Sequence, residues 1–198
     1  MGDIMLVSET HTDIPEIVNN TVLVGESNTI FSQVIIDTIT ETSQWTVPAG
    51  INAITVTIVG GGGGGSGSGG YSSSMGTSFG GRGGNSGAVL TDILVPVTEG
   101  EVISVVVGTG GAGGVYGASG NNYAGTPGGA GGTSSIKGYS RSGGTGGSNF
   151  NGSYSNPLGT PGGVGYSGDN WGGGGRGGQY GGSGVAGTPG VVLIKYRG

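Results

Sequence analysis

Gly172 to Gly190 reads GGGGRGGQYGGSGVAGTPG and places glycine at 172, 175, 178, 181, 184, 187 and 190. Between Gly60 and Gly190, 50 of 131 residues are glycine. At that density a seven-fold run in one register arises by chance about once in a thousand, so the run is a pattern and not composition alone. A period of three belongs to the extended left-handed helix of polyproline II type, which has three residues per turn and no internal hydrogen bonds. One glycine per turn leaves an edge bare, where a neighbouring backbone can approach and exchange N–H and C=O bonds. The run therefore predicts a packed lattice, although glycine abundance alone would read as low complexity. At about 3.1 Å per residue it would form one strut of roughly 55–60 Å, and Gly108 to Gly120 one of roughly 40 Å.

The same register recurs at Gly61, 64, 67 and 70, at Gly81, 84 and 87, at Gly108 to Gly120, at Gly125, 128 and 131, and at Gly159 to Gly168. Tyr71 to Phe79, Thr133 to Lys137 and Ser148 to Leu158 interrupt it and are expected to be turns. Thr-Pro-Gly recurs at Thr126, Thr160 and Thr188, where proline fixes φ near the value this helix needs. Five or six extended helices are expected, parallel and antiparallel.

The glycine runs are bracketed by strand-like sequence. Trp45-Thr46-Val47-Pro48-Ala49-Gly50 leads into Ile54-Thr55-Val56-Thr57-Ile58, with Ile54, Val56 and Ile58 on one face. Ala88 to Val97 and Glu101 to Val107 read as a hairpin around Thr98-Glu99-Gly100. Val191 to Tyr196 closes the chain. These strands must pair, since each alone leaves an apolar face in water. The expected fold is mostly β, a small sheet or sandwich clamping polyglycine II-type helices, with no substantial α-helix. The scaffold covers 44–59, 88–107 and 191–197, and the lattice 60–87 and 108–190. Residues 1–43 read as a β-rich arm, in which Ile30, Phe31, Val34 and Ile36 form the most apolar stretch.

Charge is divided along the chain. Residues 1–81 hold seven acids and no Lys or Arg, whereas from Ile103 onward five bases face Asp169 alone. Five scattered bases make no cluster for nucleic acid, so no nucleic-acid partner is expected. There are no cysteines, no apolar run of membrane-spanning length and no secretion-signal pattern at the N-terminus. His11 is the only histidine, and the glycine runs lack the lysine of a phosphate loop. No catalytic residue, metal site or cofactor is expected, and Asp92, Glu99 and Glu101 are the only scaffold acids that could revive an enzyme. The turns are instead aromatic: Tyr71, Phe79, Tyr123, Tyr139, Phe150, Tyr154, Tyr166 and Trp171 are candidate binding residues, among Asn and Ser. Tyrosine gives binding loops a large contact area at low entropic cost.

WTVPAGINAITVTIVGGGGGG from Trp45, GAVLTDILVPVTEGEVISVVVGTGGAGG from Gly87 and GTPGVVLIKYRG from Gly187 resemble the glycine-rich domain of bacteriophage tail-fibre and other virion proteins. The arrangement is similar to the adhesins at long tail fibre tips of T-even-like phages. That resemblance implies a non-enzymatic virion protein, assembled in the host cytoplasm, that binds an outer-membrane protein or glycan of the host through aromatic loops. It implies attachment of residues 1–43 to another fibre protein, and it admits a homotrimer. A structural virion component (capsid decoration, baseplate or fibre) and an ice-binding protein are the alternative readings. The latter wants a repetitive Thr or Ala face that the varied residues between these glycines do not supply.

Overall fold

The computed structural model describes residues 33–72, 77–117, 124–148, 160–179 and 181–198. One compact unit spans Val34–Gly198, so it begins ten residues before the boundary read at residue 44. Its strands are β1 (Val34–Ile39), β2 (Ser43–Thr46), β3 (Ala53–Val59), β4 (Gly69–Ser72), β5 (Thr77–Phe79), β6 (Val89–Pro96), β7 (Val102–Val106), β8 (Ser134–Ile136), β9 (Tyr139–Arg141) and β10 (Val191–Arg197). There is no α-helix among the described residues. The fold is mostly β, as the sequence predicts.

Two four-stranded antiparallel sheets form the scaffold, ordered β1-β10-β3-β6 and β2-β7-β8-β9. The alternation in β3 buries Ile54, Val56 and Ile58, and Val192, Ile194 and Val95 join them from the same sheet. Trp45, Ile103, Val105 and Ile136 meet them from the other sheet. Each such side chain, fully buried, contributes roughly 1.5–3 kcal/mol. β10 lies between β1 and β3, with Val34 opposite Arg197 and Val191 opposite Val59, so the C-terminal strand does close the scaffold.

Two expectations are corrected here. The segments around Thr98-Glu99-Gly100 do not form a hairpin, because β6 pairs with β3 whereas β7 pairs with β2 and β8. The connection is a corner between sheets, and it sets Val95 and Val97 against Ile103 and Val105 across the core. Thr133 to Lys137 does lie where segment 124–133 gives way to the oppositely running 142–148, but as part of the scaffold and not as a bare loop: it enters the β8–β9 pair, whose Lys137 and Gly138 take φ of 44° and 82°. Positive φ at both central residues of a two-residue loop is what the right-handed twist of a hairpin favours.

From the scaffold, eight glycine-rich segments run back and forth: 60–68, 80–88, 108–117, 124–133, 142–148, 160–165, 172–179 and 182–190. Segment 60–68 is the axis. Its N–H groups donate in strict rotation, Gly60 to Ala88, Gly61 to Gly132, Gly62 to Thr188, Gly63 to Asn85, Gly64 to Gly129 and Gly65 to Val185. The rotation continues from Ser66 to Arg82, Gly67 to Thr126 and Ser68 to Gly182. Its carbonyls accept from the three remaining neighbours, for example from Gly111, Gly144 and Gly175. Six segments therefore surround the axis, and descending numbers on the acceptor side show that three run antiparallel to it while three run parallel. The ring closes on itself, since Gly84 donates to Gly175, Val185 to Arg176, Gly187 to Gly111, Gly129 to Ala112, Gly131 to Gly144 and Asn85 to Thr145. Segment 160–165 lies outside it, bonded to 80–88 and 172–179 through Gly163 to Gly84 and Gly174 to Gly163.

This enclosure explains why residues 60–65 are glycine without interruption. A Cβ at Gly62, Gly63 or Gly64 would lie 1.9, 2.1 or 2.0 Å from a neighbouring carbonyl oxygen. Serine enters the axis only at its outer end, where Ser68 Oγ donates to Gly182 O at 2.9 Å and Ser66 Oγ accepts from Arg82 N–H at 2.8 Å.

Candidate binding surface at the end of the glycine lattice

The hydrogen-bond register sorts the chain's connections into two ends. Gly60, Gly87, Gly108, Ser142, Gly172 and Gly190 sit at the scaffold level: Gly87 donates to Gly172 and Gly190 to Gly108. Ser68, Gly117 and Gly182 sit at the far level, since Ser68 donates to Gly182 and Gly117 to Ser68. The β4–β5 pair follows Ser68 directly, and the connections 118–123, 149–159 and 179–182 join segments whose ends lie at that same far level.

The aromatic candidates divide accordingly. Tyr71 and Phe79 lie on β4 and β5 at the far end. Tyr123, Phe150 and Tyr154 lie outside the described residues. Tyr139, Tyr166 and Trp171 are elsewhere: Tyr139 is on β9 of the scaffold, and Tyr166 and Trp171 flank a turn at the scaffold level. In that turn Tyr166 N–H donates to Trp171 O at 2.7 Å, and Asn170 Oδ1 accepts from Gly165 N–H at 2.9 Å. Ser167 and Asn170 take positive φ of 55° and 57° to close it. The eight aromatics are therefore not one surface.

Tyr116, another aromatic of the glycine region, belongs with the far group. Its ring lies 3.4 Å from the position a Cβ on Gly181 would take, and its N–H donates to Ser183 Oγ at 3.4 Å. Gly181 turns the chain back with φ of 80°, and Gly182 N–H donates to Gln179 O at 2.7 Å.

Residues expected to anchor the arm divide as well. Ile30 and Phe31 lie outside the described residues. Val34 and Ile36 are part of β1, 49% and 55% exposed on the outer face of the first sheet. The opposite face of β1 turns Asp37 inward, where its carboxylate accepts from Trp45 Nε1 at 2.7 Å and from the Tyr196 hydroxyl at 3.2 Å. Burial, and then the adjacent Asp37 carboxylate, push the Tyr196 hydroxyl above its ordinary value.

The scaffold acids are each held by a different donor. Asp92 pairs with Lys195 at 3.2 Å, Glu99 accepts from Gly50 N–H at 2.9 Å, and Glu101 binds Lys137 at 2.6 Å. The Lys137 hydrogen bond, then one from Thr98 N–H, hold the Glu101 carboxyl below its usual range. No group of three His, Cys, Asp or Glu suited to a metal occurs among the described residues.

Sequence reasoning missed two polar joints. Ser134 is fully buried and donates to Val59 O at 2.6 Å while accepting from Gly108 N–H at 2.9 Å, fastening β3, β8 and the lattice together. The three Thr-Pro-Gly threonines share a role beyond the stiffness of proline. Thr126, Thr160 and Thr188 Oγ1 accept the N–H of Val115, Gly83 and Gly173 on an adjacent segment, at 2.7, 2.7 and 2.6 Å. The recurrence was the available sign.

No curated protein matches the chain. A family model described as the glycine-rich domain matches residues 37–170, more than half of the chain, with six of the eight glycine-rich segments and most of the scaffold, so the protein belongs to the glycine-rich domain family.

Proposed function

We propose that this is a non-enzymatic bacteriophage virion protein, the adhesin at the tip of a tail fibre. The observation that carries the reading is that β4–β5 and the ends of the described segments at Ser68, Gly117, Gly178 and Gly182 all lie at one end of the lattice, opposite the scaffold. Tyr71, Phe79, Tyr123, Phe150 and Tyr154 would there meet an outer-membrane protein or glycan of the host. The lattice is read as a bundle of polyglycine II-type helices, whose interior needs no side chains and so leaves these loops free to vary. The other end, where β1 begins, would be held by a fibre protein.

The test is competition. Purified protein is expected to block phage adsorption to host cells, and Tyr154→Ser or Tyr123→Ser to lower that potency by about tenfold, as loss of an aromatic anchor does. Tyr139→Ser should leave it unchanged. Full blocking by a folded variant lacking all five far-end aromatics would sink the adhesin reading and favour a structural virion component.

A further inference from the structure

The outer face of the first sheet holds a groove of about 380 Å³ at the end of the scaffold away from the lattice. Val34 on β1 and Leu94 on β6 wall it, Ala53 and Thr55 floor it, and Lys195 and Arg197 rise from β10 between them. Leu94 is 69% exposed and Val34 49%, so each edge strand of the sheet presents a large aliphatic side chain to the groove. Lys195 shares its charge with Asp92, whereas Arg197 has no acid partner among the described residues.

We infer that this groove docks an extended acidic segment of the partner protein that holds the chain, crossing the sheet with a carboxylate against Arg197 and apolar side chains against Val34 at one edge and Leu94 at the other. The inference rests on the reading that the scaffold end is the attachment end. Both halves of the chemistry are needed. A bare phosphate or nucleic-acid backbone would use the cations and leave the apolar walls wet, and a purely apolar segment would bury Arg197 without a counter-charge, which is costly. A guanidinium also suits a carboxylate, offering two parallel N–H donors to its two oxygens.

Three eight-residue peptides test this against the full chain by fluorescence anisotropy: glutamate alternating with valine, lysine alternating with valine, and glutamate alternating with serine. The first should bind about tenfold or more tighter than either of the others. Arg197→Ala should remove that advantage, Arg197→Lys should keep most of it, and Leu94→Ser should weaken only the valine-containing acidic peptide. Arg176→Ala, an exposed cation of the lattice, should change nothing. Equal binding of the acidic and basic peptides, absence of saturable binding, or indifference to Arg197→Ala would overturn the inference. Adsorption of the free protein to cells does not involve this groove, so blocking that persists while the peptides fail removes this inference and leaves the adhesin reading standing.

Discussion

At the scale of single residues, the lattice makes glycine a packing residue. Gly64→Ala would set a methyl group 2.0 Å from the Ala112 carbonyl oxygen, with backbone on every side. Because nothing there can rotate away, it should cost about 3 kcal/mol or more, at the upper end for overpacking, read as a drop in denaturation midpoint. Gly168→Ala has no atom within 4 Å of the new methyl and should stay within about 0.5 kcal/mol. Ser134→Ala leaves the buried Gly108 N–H without an acceptor and should cost about 1–3 kcal/mol. None of this was readable from composition. Period three locates the glycines that face neighbours, but the axis 60–65 has glycine in every place, and only its position inside six segments explains that. Ser134 sits in the unremarkable stretch Thr133-Ser134-Ser135, and its two hydrogen bonds join residues 26 and 75 positions away.

At the scale of elements, the opening run divides in two. Gly172 to Gly190 is not one strut, because 172–179 and 182–190 lie antiparallel, Val185 donating to Arg176 and Thr188 to Gly173. Glycine spacing is the same whichever way a segment runs, so the periodicity could announce the lattice while remaining blind to the reversal at Gly181. The strand faces of β3 were legible, since Ile and Val alternating with Thr has one solution in a half-buried sheet, whereas the continuous apolar run of β10 was legible only as a strand. The β6–β7 corner was not, because a short glycine loop serves a hairpin and a sheet crossing equally. Segment 160–165 tests how elements are admitted. It rests beside Gly83, where a Cβ would meet the Pro161 oxygen at 2.0 Å. Gly83→Ala should displace that segment alone, accelerating amide exchange at Gly163 while Gly64 stays protected. The ring repeats this kind of groove beside Gly110 and Gly113 and beside Gly143 and Gly146. There the rims carry exposed Ser183, Ala186 and Pro189, or Pro127, Ala130 and Thr133, in place of a glycine, so the lattice stops growing. On the scaffold, the Lys137–Glu101 pair fastens the β8–β9 turn to β7. Glu101 has its carboxyl lowered from 4.5, so the stability it adds is present above pH 4.5 and is lost as pH falls through its folded value. Glu101→Gln should remove that part of the acid dependence of the unfolding midpoint.

At the scale of the whole molecule, stability divides between an apolar sandwich and a lattice held by backbone bonds. A net hydrogen bond is worth about 0.5–1.5 kcal/mol, while fixing one residue's backbone costs about 1–2 kcal/mol, and more for glycine. The lattice therefore cannot stand segment by segment and must form with the scaffold that brings its ends together. Amides of Gly61 to Gly65 should exchange as slowly as those of Ile54 to Ile58, and both should open in one transition; fast exchange along the axis would show a loosely held lattice. At high pH the same cooperativity should transmit a local change. Tyr196 has its hydroxyl raised from 10.0, so its stabilising part is intact below pH 10 and is lost as pH rises through its folded value. Tyr196→Phe should flatten that decline in a melting series.

The ring's alternation of direction has a mechanical consequence. The backbone hydrogen bonds that join the described segments lie across them, whereas a load between the far end and β1 runs along them. Such a load works the bonds in shear, many at once, instead of peeling them singly. A pull applied through this end would meet a short, stiff bundle of segments whose yield force is set by segment length. Lengthening every segment by one three-residue turn would raise that force while leaving the loops and the sheet end unchanged.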